Sequence, residues 1–320
     1  VAAVRVAVRR GLSALPDGLV LVACSGGADS LALAAATAFE ARAADRPAGL
    51  VTVDHGLHPA SASVARDVAA RGHELGLSPV RTLRVDVGRS GGPEAAARSA
   101  RYAALEAVAG EAGAVAVLLA HTLDDQAETV LLGLARGSGT RSLAGMAAAR
   151  GIFRRPLLEI PRAVVRQACA DEGLEVWEDP ANADRAFARA RVRHDVLPVL
   201  EAQLGPGIAP ALARTARAAR DDADALDAIA WESSPFVTGT AAVEDLSAAR
   251  PALRRRWLRS AALAVGCPAG ALTAAHVDAV EALVLDWHGQ GAVHLPGGAS
   301  AVRACGRLVL SPAGRRPLNP

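Results

Sequence analysis

The first two hundred residues alternate short apolar runs with segments of helical period, and that alternation restricts what the chain can fold into. Residues 19–24 (LVLVAC), 50–55 (LVTVDH), 80–87 and 114–121 (AVAVLLAH) read as strands. Residues 29–42, 62–75, 94–108 and 124–135 read as helices, each following one of those strands. Strands apolar on both faces belong in sheets covered on both sides, and this order of elements specifies an α/β fold with a parallel sheet between helices. A helix over 161–172, a strand over 174–178 and a long helix over 186–203 are expected next. Gly205-Pro206-Gly207 then breaks the pattern. Residues 208–230 read as one helix carrying Arg214, Arg217 and Arg220. The reading gives an α/β domain over 1–204, a helical linker over 205–240, and a smaller, mainly helical domain over 241–320. In that last domain helices are expected over 243–265 and 272–287, ahead of short strand-like pieces.

Composition excludes several chemistries. All 35 basic residues are arginine. A G-x-x-x-x-G-K-[ST] phosphate loop, a kinase-type strand lysine and a Schiff-base lysine are therefore ruled out. Any phosphate must be held by backbone amides, arginine or metal. The net charge of +2 decides nothing about partners, so a basic surface can exist only as a local patch. The four cysteines, Cys24, Cys169, Cys267 and Cys305, form no C-x-x-C pair, which fits a reducing, cytoplasmic setting. No run approaches the roughly 18 apolar residues of a membrane span, and no secretory signal is read, so no membrane partner is expected.

The sharpest local signal is Ser25-Gly26-Gly27-Ala28-Asp29-Ser30, directly after the first strand and opening a helix. Glycine lets the backbone turn tightly and approach a ligand. The helix start then offers unpaired N–H groups and partial positive charge to a phosphate. Asp29 is unwelcome beside bare phosphates, so it implies a Mg²⁺ between them.

SGGADS resembles the pyrophosphate-binding loop of the N-type ATP pyrophosphatases, the PP-loop superfamily. Further blocks narrow the resemblance: VDHGLHPAS at 53–61, EAAARSARYAAL at 94–105, AHTLDDQAETVLLGLARGSG at 120–139, RPLL at 155–158, EDPANAD at 178–184 and FARARVRHDVLPVL at 187–200. In that order they are similar to the bacterial tRNA(Ile)-lysidine synthases. The similarity is strong over about residues 19–204 and holds in outline beyond. The resemblance implies an adenine nucleotide alpha hydrolase-like domain over 1–204 and an accessory tRNA-binding domain over 241–320. The implied activity is ATP-dependent ligation of L-lysine to the wobble cytidine of an isoleucine tRNA with a CAU anticodon. It runs through an adenylated cytidine and releases AMP and pyrophosphate. ATP and Mg²⁺ are the implied cofactors, and a homodimer is left open. Other PP-loop tRNA-modifying enzymes (a cytidine thiolase among them), amide-forming enzymes and a non-catalytic ATP-binding module are the competing readings.

Site residues follow from the same resemblance. ATP is assigned to Ser25, Gly26, Gly27, Ala28, Asp29, Ser30, Asp54 and His55, with Asp29 also the metal ligand. Asp29, Arg101 and Asp125 are the expected catalytic residues, Arg101 stabilising charge that develops during adenylation. Asp124 and Glu128 are spaced i, i+4 and Asp125 and Glu128 i, i+3 on one helix just past a strand end. Lysine binding is carried onto Asp125 and Glu128, with Asp124 left unassigned. Arg189, Arg191 and Arg193, and Arg254, Arg255 and Arg256 beside Trp257, are expected to contact tRNA phosphates. Two departures are visible. His58 stands where the family commonly has arginine, and Ala181 stands where its D-P-S-N turn has serine.

Overall fold

The computed structural model of the chain describes residues 1–54, 56, 59–85, 93–137 and 139–314. They form two compact units, one of residues 1–136 and 143–217, the other of residues 137–142 and 218–320 as far as described.

The first unit opens with α1 (Ala2–Ser13), an amphipathic helix absent from the expectations above. Its Val4, Val8 and Leu12, spaced i, i+4, i+8, bury one stripe. There follow β1 (Val20–Ala23), α2 (Ala28–Ala43), β2 (Ala48–Asp54), α3 (Ser61–Glu74), β3 (Val80–Arg84), α4 (Pro93–Glu111), β4 (Ala116–Leu118) and α5 (Leu123–Ala135). The chain then passes through the one-turn α6 (Thr140–Leu143), of which residues 140–142 belong to the second unit, and the first unit resumes with the short strands β5 (Ala149–Arg150) and β6 (Phe153–Arg154) and with α7 (Arg162–Asp171).

The sheet order is β3-β2-β1-β4-β6-β5. Its pairs are parallel except for β5 against β6. β1 is central, with Val20 opposite Ala48 on one side and Ala116 on the other. Strand side chains alternate between faces. Val20 and Val22 thus join one core layer with Leu12, Leu33 and Val165, from α1, α2 and α7. Leu21 joins the other with Leu105, Val108 and Val117. α2 is buried along almost its whole length, and its alanines let α1 and α7 pack close on either side. The parallel sheet covered on both faces therefore stands as read.

Three local expectations change. Residues 174–178 join no ladder. Instead the Trp177 amide donates to the Gly26 carbonyl (3.0 Å), laying this segment against the turn after β1. The helix expected over 186–203 comprises α8 (Ala188–Arg191), a π-helical turn at Val192–Val196, and α9 (Leu197–Leu204). The third strand ends at Arg84, and residues 86 and 87 lie outside the described residues.

α10 (Ile208–Glu232) is one 25-residue helix that begins in the first unit and ends in the second. The second unit continues with β7 (Thr240–Ala242), α11 (Val243–Ala248), α12 (Pro251–Ala264), α13 (Ala274–Leu285), β8 (Val293–His294), β9 (Ser300–Ala304) and β10 (Arg307–Ser311). The helical stretch expected over 243–265 is split because Pro251 starts a new helix rather than continuing one. The strand-like pieces form an antiparallel sheet in the order β7-β10-β9-β8. Leu246, Trp257, Leu258, Leu283 and Leu308 centre its core. No single described helix is long and apolar enough to cross a membrane.

Candidate active site

The turn from β1 into α2 is held by its own side chains. Gly26 has φ +86°, and a β-carbon there would meet Val68 Cγ2 at 3.0 Å, so the position suits glycine alone. The buried Ser30 hydroxyl donates to the Gly27 carbonyl (2.9 Å) and accepts from the Ser25 amide (3.1 Å). It thus shapes the turn from inside, while Ser25 is exposed. Gly27 caps α2 without any side-chain hydrogen bond. No side chain therefore caps the first turn of α2, where the Ser30 amide reaches back to the Gly27 carbonyl (3.0 Å), and a helix start without a side-chain cap suits an anion.

Asp29, in that first turn, is mostly buried. Its Oδ1 has no hydrogen-bond partner among the described residues, and its Oδ2 lies 3.6 Å from Arg162 Nε. Burial pushes its carboxyl up to about 6, with Arg162 opposing and Asp125 adding to the rise.

Asp125 and Glu128 lie where the spacing put them, at the start of α5 beyond the end of β4. Thr122 caps α5, its amide and hydroxyl donating to Asp125 Oδ2 (2.8 and 2.9 Å). Asp125 Oδ1 accepts from Arg162 Nη2 (2.8 Å) and Arg193 Nη2 (3.2 Å). Burial would raise this carboxyl, but Arg162, the Thr122 amide and other nearby cations outweigh it and hold it below the usual range. Glu128 is wholly buried. Its Oε1 accepts from Arg193 Nε (2.7 Å) and Arg162 Nη1 (3.1 Å), its Oε2 accepts from Arg193 Nη2 (3.1 Å), and Arg189 Nε lies 3.5 Å from Oε2. Asp124 turns the other way and accepts the Arg162 amide (2.7 Å), capping α7.

The alternate arginines of α8 and its π turn divide. Arg189 and Arg193 face α5, whereas Arg191 donates to the carbonyls of Arg185 and Ala186. Arg189 also donates to Thr129 Oγ1 (2.8 Å).

On α4, Arg101 is half-buried and makes no ion pair with a carboxylate among the described residues; its guanidinium lies 5.7 Å from the Tyr102 ring centre. Burial and the neighbouring Arg98 push its pKa below the ordinary arginine value. A half-buried cation with no carboxylate partner among the described residues suits a site that receives an anion. Asp54 ends β2, its Oδ1 accepting from the Gly56 amide (2.9 Å). His55 and His58 lie outside the described residues.

Two groups escaped the sequence reading. Arg162 bridges Asp29, Asp125 and Glu128. Its partners stand more than thirty residues away in the chain, and no spacing signals them. Arg155, quoted above only within RPLL, is buried. It donates to His121 Nδ1 (3.2 Å), Tyr102 Oη (3.1 Å) and the Ala147 carbonyl (2.7 Å). With Nδ1 accepting, the His121 ring proton sits on Nε2. Burial, opposed by Asp125 and supported by Arg155, pushes the His121 pKa down to about 3.

In the second unit the three consecutive arginines of α12 differ from one another. Arg254 is buried, donating to Glu281 Oε1 (2.7 Å) and the Ala249 carbonyl (2.8 Å). The expectation that it grips tRNA is corrected, because no part of a core guanidinium is presented to a phosphate. Arg255 pairs with Asp278 and Glu281, and Arg256 with Asp227 (2.7 Å), at more exposed positions. Trp257 is a core residue whose Nε1 donates to the Ala230 carbonyl (2.8 Å).

A PP-loop domain model matches residues 5–200, and a TilS substrate binding domain model matches residues 242–309. The chain is 58% identical over 306 residues to a tRNA(Ile)-lysidine synthase of Streptomyces coelicolor, covering 94% of this chain and 86% of that one. It is 58% identical over 315 residues to the enzyme of the same name from Thermobifida fusca, covering 97% of each. A U34-tRNA thiolase from Methanococcus maripaludis shares the fold, with a TM-score of 0.57 at 21% identity over 68% of this chain and 79% of that one.

Proposed function

This chain belongs to the tRNA(Ile)-lysidine synthase family of PP-loop proteins, and from that premise we propose how its residues carry out ATP-dependent lysidine formation on an isoleucine tRNA. The wobble cytidine of a CAU anticodon attacks the α-phosphorus of ATP through its ring carbonyl oxygen, and pyrophosphate leaves. The side-chain ammonium of L-lysine gives up a proton to solvent, and the resulting amine attacks the ring carbon that bears the adenylated oxygen. The amine loses a proton, and AMP departs with the oxygen.

The observation that supports this reading is one juxtaposition. An uncapped helix start, suited to phosphate, stands one arginine away from a buried acidic pair suited to a cationic substrate. The amides at Gly26, Gly27 and the first turn of α2 bind the pyrophosphate portion, with Ser25 adding its exposed hydroxyl. Ser30 keeps the turn in shape. Arg101 offsets charge developing on the phosphoryl group during adenylation. Asp125 and Glu128 hold the cationic lysine.

Asp29 fits Mg²⁺. Its Oδ1 is buried without a partner among the described residues, and Mg²⁺ characteristically takes one or two carboxylates together with substrate phosphates. When bound, Mg²⁺ supplies neutralisation of the leaving pyrophosphate.

Contacts to tRNA phosphates are assigned in each unit separately, to Arg191 in the first and to Arg255 and Arg256 in the second. Arg189 and Arg193 are reassigned from tRNA to the lysine seat, where both face Glu128. A cytoplasmic site of action belongs to the same proposal. The competing thiolase chemistry needs sulfur-handling cysteines, yet the four cysteines form no C-x-x-C pair and Cys24, Cys169 and Cys267 are buried.

The test is incubation with labelled lysine, ATP and a CAU-anticodon isoleucine tRNA transcript, then nucleoside analysis. Label in a modified cytidine, dependent on both ATP and that anticodon, is expected. Pyrophosphate release without label in the nucleoside contradicts the proposal.

A further inference from the structure

Three buried side-chain polar atoms lack a hydrogen-bond partner among the described residues, and two of them belong to neighbouring side chains: Asp29 Oδ1 and Arg162 Nε. The Asp29 carboxylate and the Arg162 guanidinium approach to 3.6 Å without completing a hydrogen bond. The same guanidinium makes full hydrogen bonds to Asp125 and Glu128 at 2.8 and 3.1 Å. One cation is thus shared between the phosphate turn and the acidic pair, firmly bonded only to the latter.

The charges in this network already balance. The carboxylates of Asp29, Asp125 and Glu128 are met by the guanidiniums of Arg162, Arg189 and Arg193. Adding an ammonium group leaves an uncompensated cation in a largely dehydrated site, which is unfavourable. Adding a polyphosphate at the start of α2 leaves an uncompensated anion next to Arg162. Adding both lets the new cation and the new anion offset part of each other's charge, provided that one arginine moves its allegiance. Arg162 is placed to do so, since it alone of the three reaches Asp29. Arg189 and Arg193 stay with the acidic pair on the other side.

We infer that Arg162 is a positioning residue that occupies the seat of the lysine ammonium at Asp125 and Glu128 until a polyphosphate at the adjacent turn draws it away. The inference deepens the proposed function and rests on its lysine assignment. Lysine binding is therefore conditional on nucleotide. The reciprocal holds by linkage: lysine tightens nucleotide binding by the same factor. In this order the acidic seat opens only when an adenylating agent is already in place.

The experiment is equilibrium dialysis of labelled lysine against the full chain without tRNA, with and without α,β-methylene ATP and Mg²⁺. For the unaltered chain the analogue is expected to raise lysine affinity at least about tenfold, within the usual span of coupling between sites. In Arg162→Gln, which removes the cation but leaves Arg189 and Arg193, lysine is expected to bind nucleotide-free chain and the analogue to change its affinity less than about twofold. Arg162→Lys, which keeps the charge, is expected to restore the nucleotide requirement. Equal lysine affinity with and without the analogue in the unaltered chain overturns the inference whatever the variants do. Full nucleotide dependence in Arg162→Gln overturns it as well. Lysine binding under no condition defeats the lysine assignment itself, and the inference with it.

Discussion

Asp29 is a residue whose burial serves binding at the expense of stability. Its carboxyl is raised to about 6 chiefly by burial, so keeping it ionised at neutral pH works against the fold. Asp29→Asn is expected to abolish pyrophosphate release while raising the melting temperature of the nucleotide-free protein by a few degrees, about 1–2 kcal/mol. A calorimetric scan and a pyrophosphate assay on the same preparation check both halves. His121 shows the opposite linkage. Its pKa is depressed to about 3 from an ordinary 6.5, so the unfolded chain binds the proton more readily. Stability is therefore present above about pH 6.5 and drains away as pH falls toward 3. His121→Gln should shrink the loss of stability between pH 7 and pH 5 by roughly 2 kcal/mol, seen in denaturant midpoints at the two pH values. At this scale the sequence was legible where function depends on near neighbours. Ser25 to Ser30 and the Asp125–Glu128 spacing could be read directly. Arg162, Arg155 and Arg254 could not, because an arginine's partner is chosen by tertiary distance and their partners lie far along the chain.

The decisive element is the passage from β1 into α2. Gly26 at φ +86° lets the chain reverse tightly, and α3 leaves no room above it, with Val64 and Val68 at 3.3 and 3.0 Å from a β-carbon placed there. Gly26→Ala adds a left-handed strain of about 1–3 kcal/mol to that crowding. It is expected to weaken nucleotide binding tenfold or more, by titration calorimetry, while the helical signal of the protein is retained. Element identity was legible wherever an apolar run or a helical period was long, as in β1, α2 and α5. It failed at residues 174–178, where a short alternation mimics a strand although the segment gives its Trp177 amide to the turn. It also failed to show the π turn at Val192–Val196, which changes the angular offset of Arg193 from Arg189 within one helical run. The wider turn alters where a side chain points without altering composition, so no pattern in the sequence reports it.

For the molecule as a whole, the α/β architecture was legible from the order of its elements, and the second unit less so. Its four strands are short and punctuated by glycine, and one arginine of a basic helix closes its core instead of facing solvent. Arg254→Ala leaves Glu281 buried with less compensation and is expected to destabilise the chain by about 3–5 kcal/mol in denaturant unfolding. Arg255→Ala with Arg256→Ala is expected to lower tRNA affinity and to reduce the steepness of its salt dependence by one or two released counterions, roughly 0.9 in slope for each. The central claim is that the chain places AMP on the carbonyl oxygen of the wobble cytidine before lysine arrives at that carbon. Oxygen-18 at that single position of the tRNA tests it most directly, by mass spectrometry of the AMP released in a complete reaction. The account predicts AMP heavier by that one oxygen; unlabelled AMP beside fully formed lysidine would contradict it.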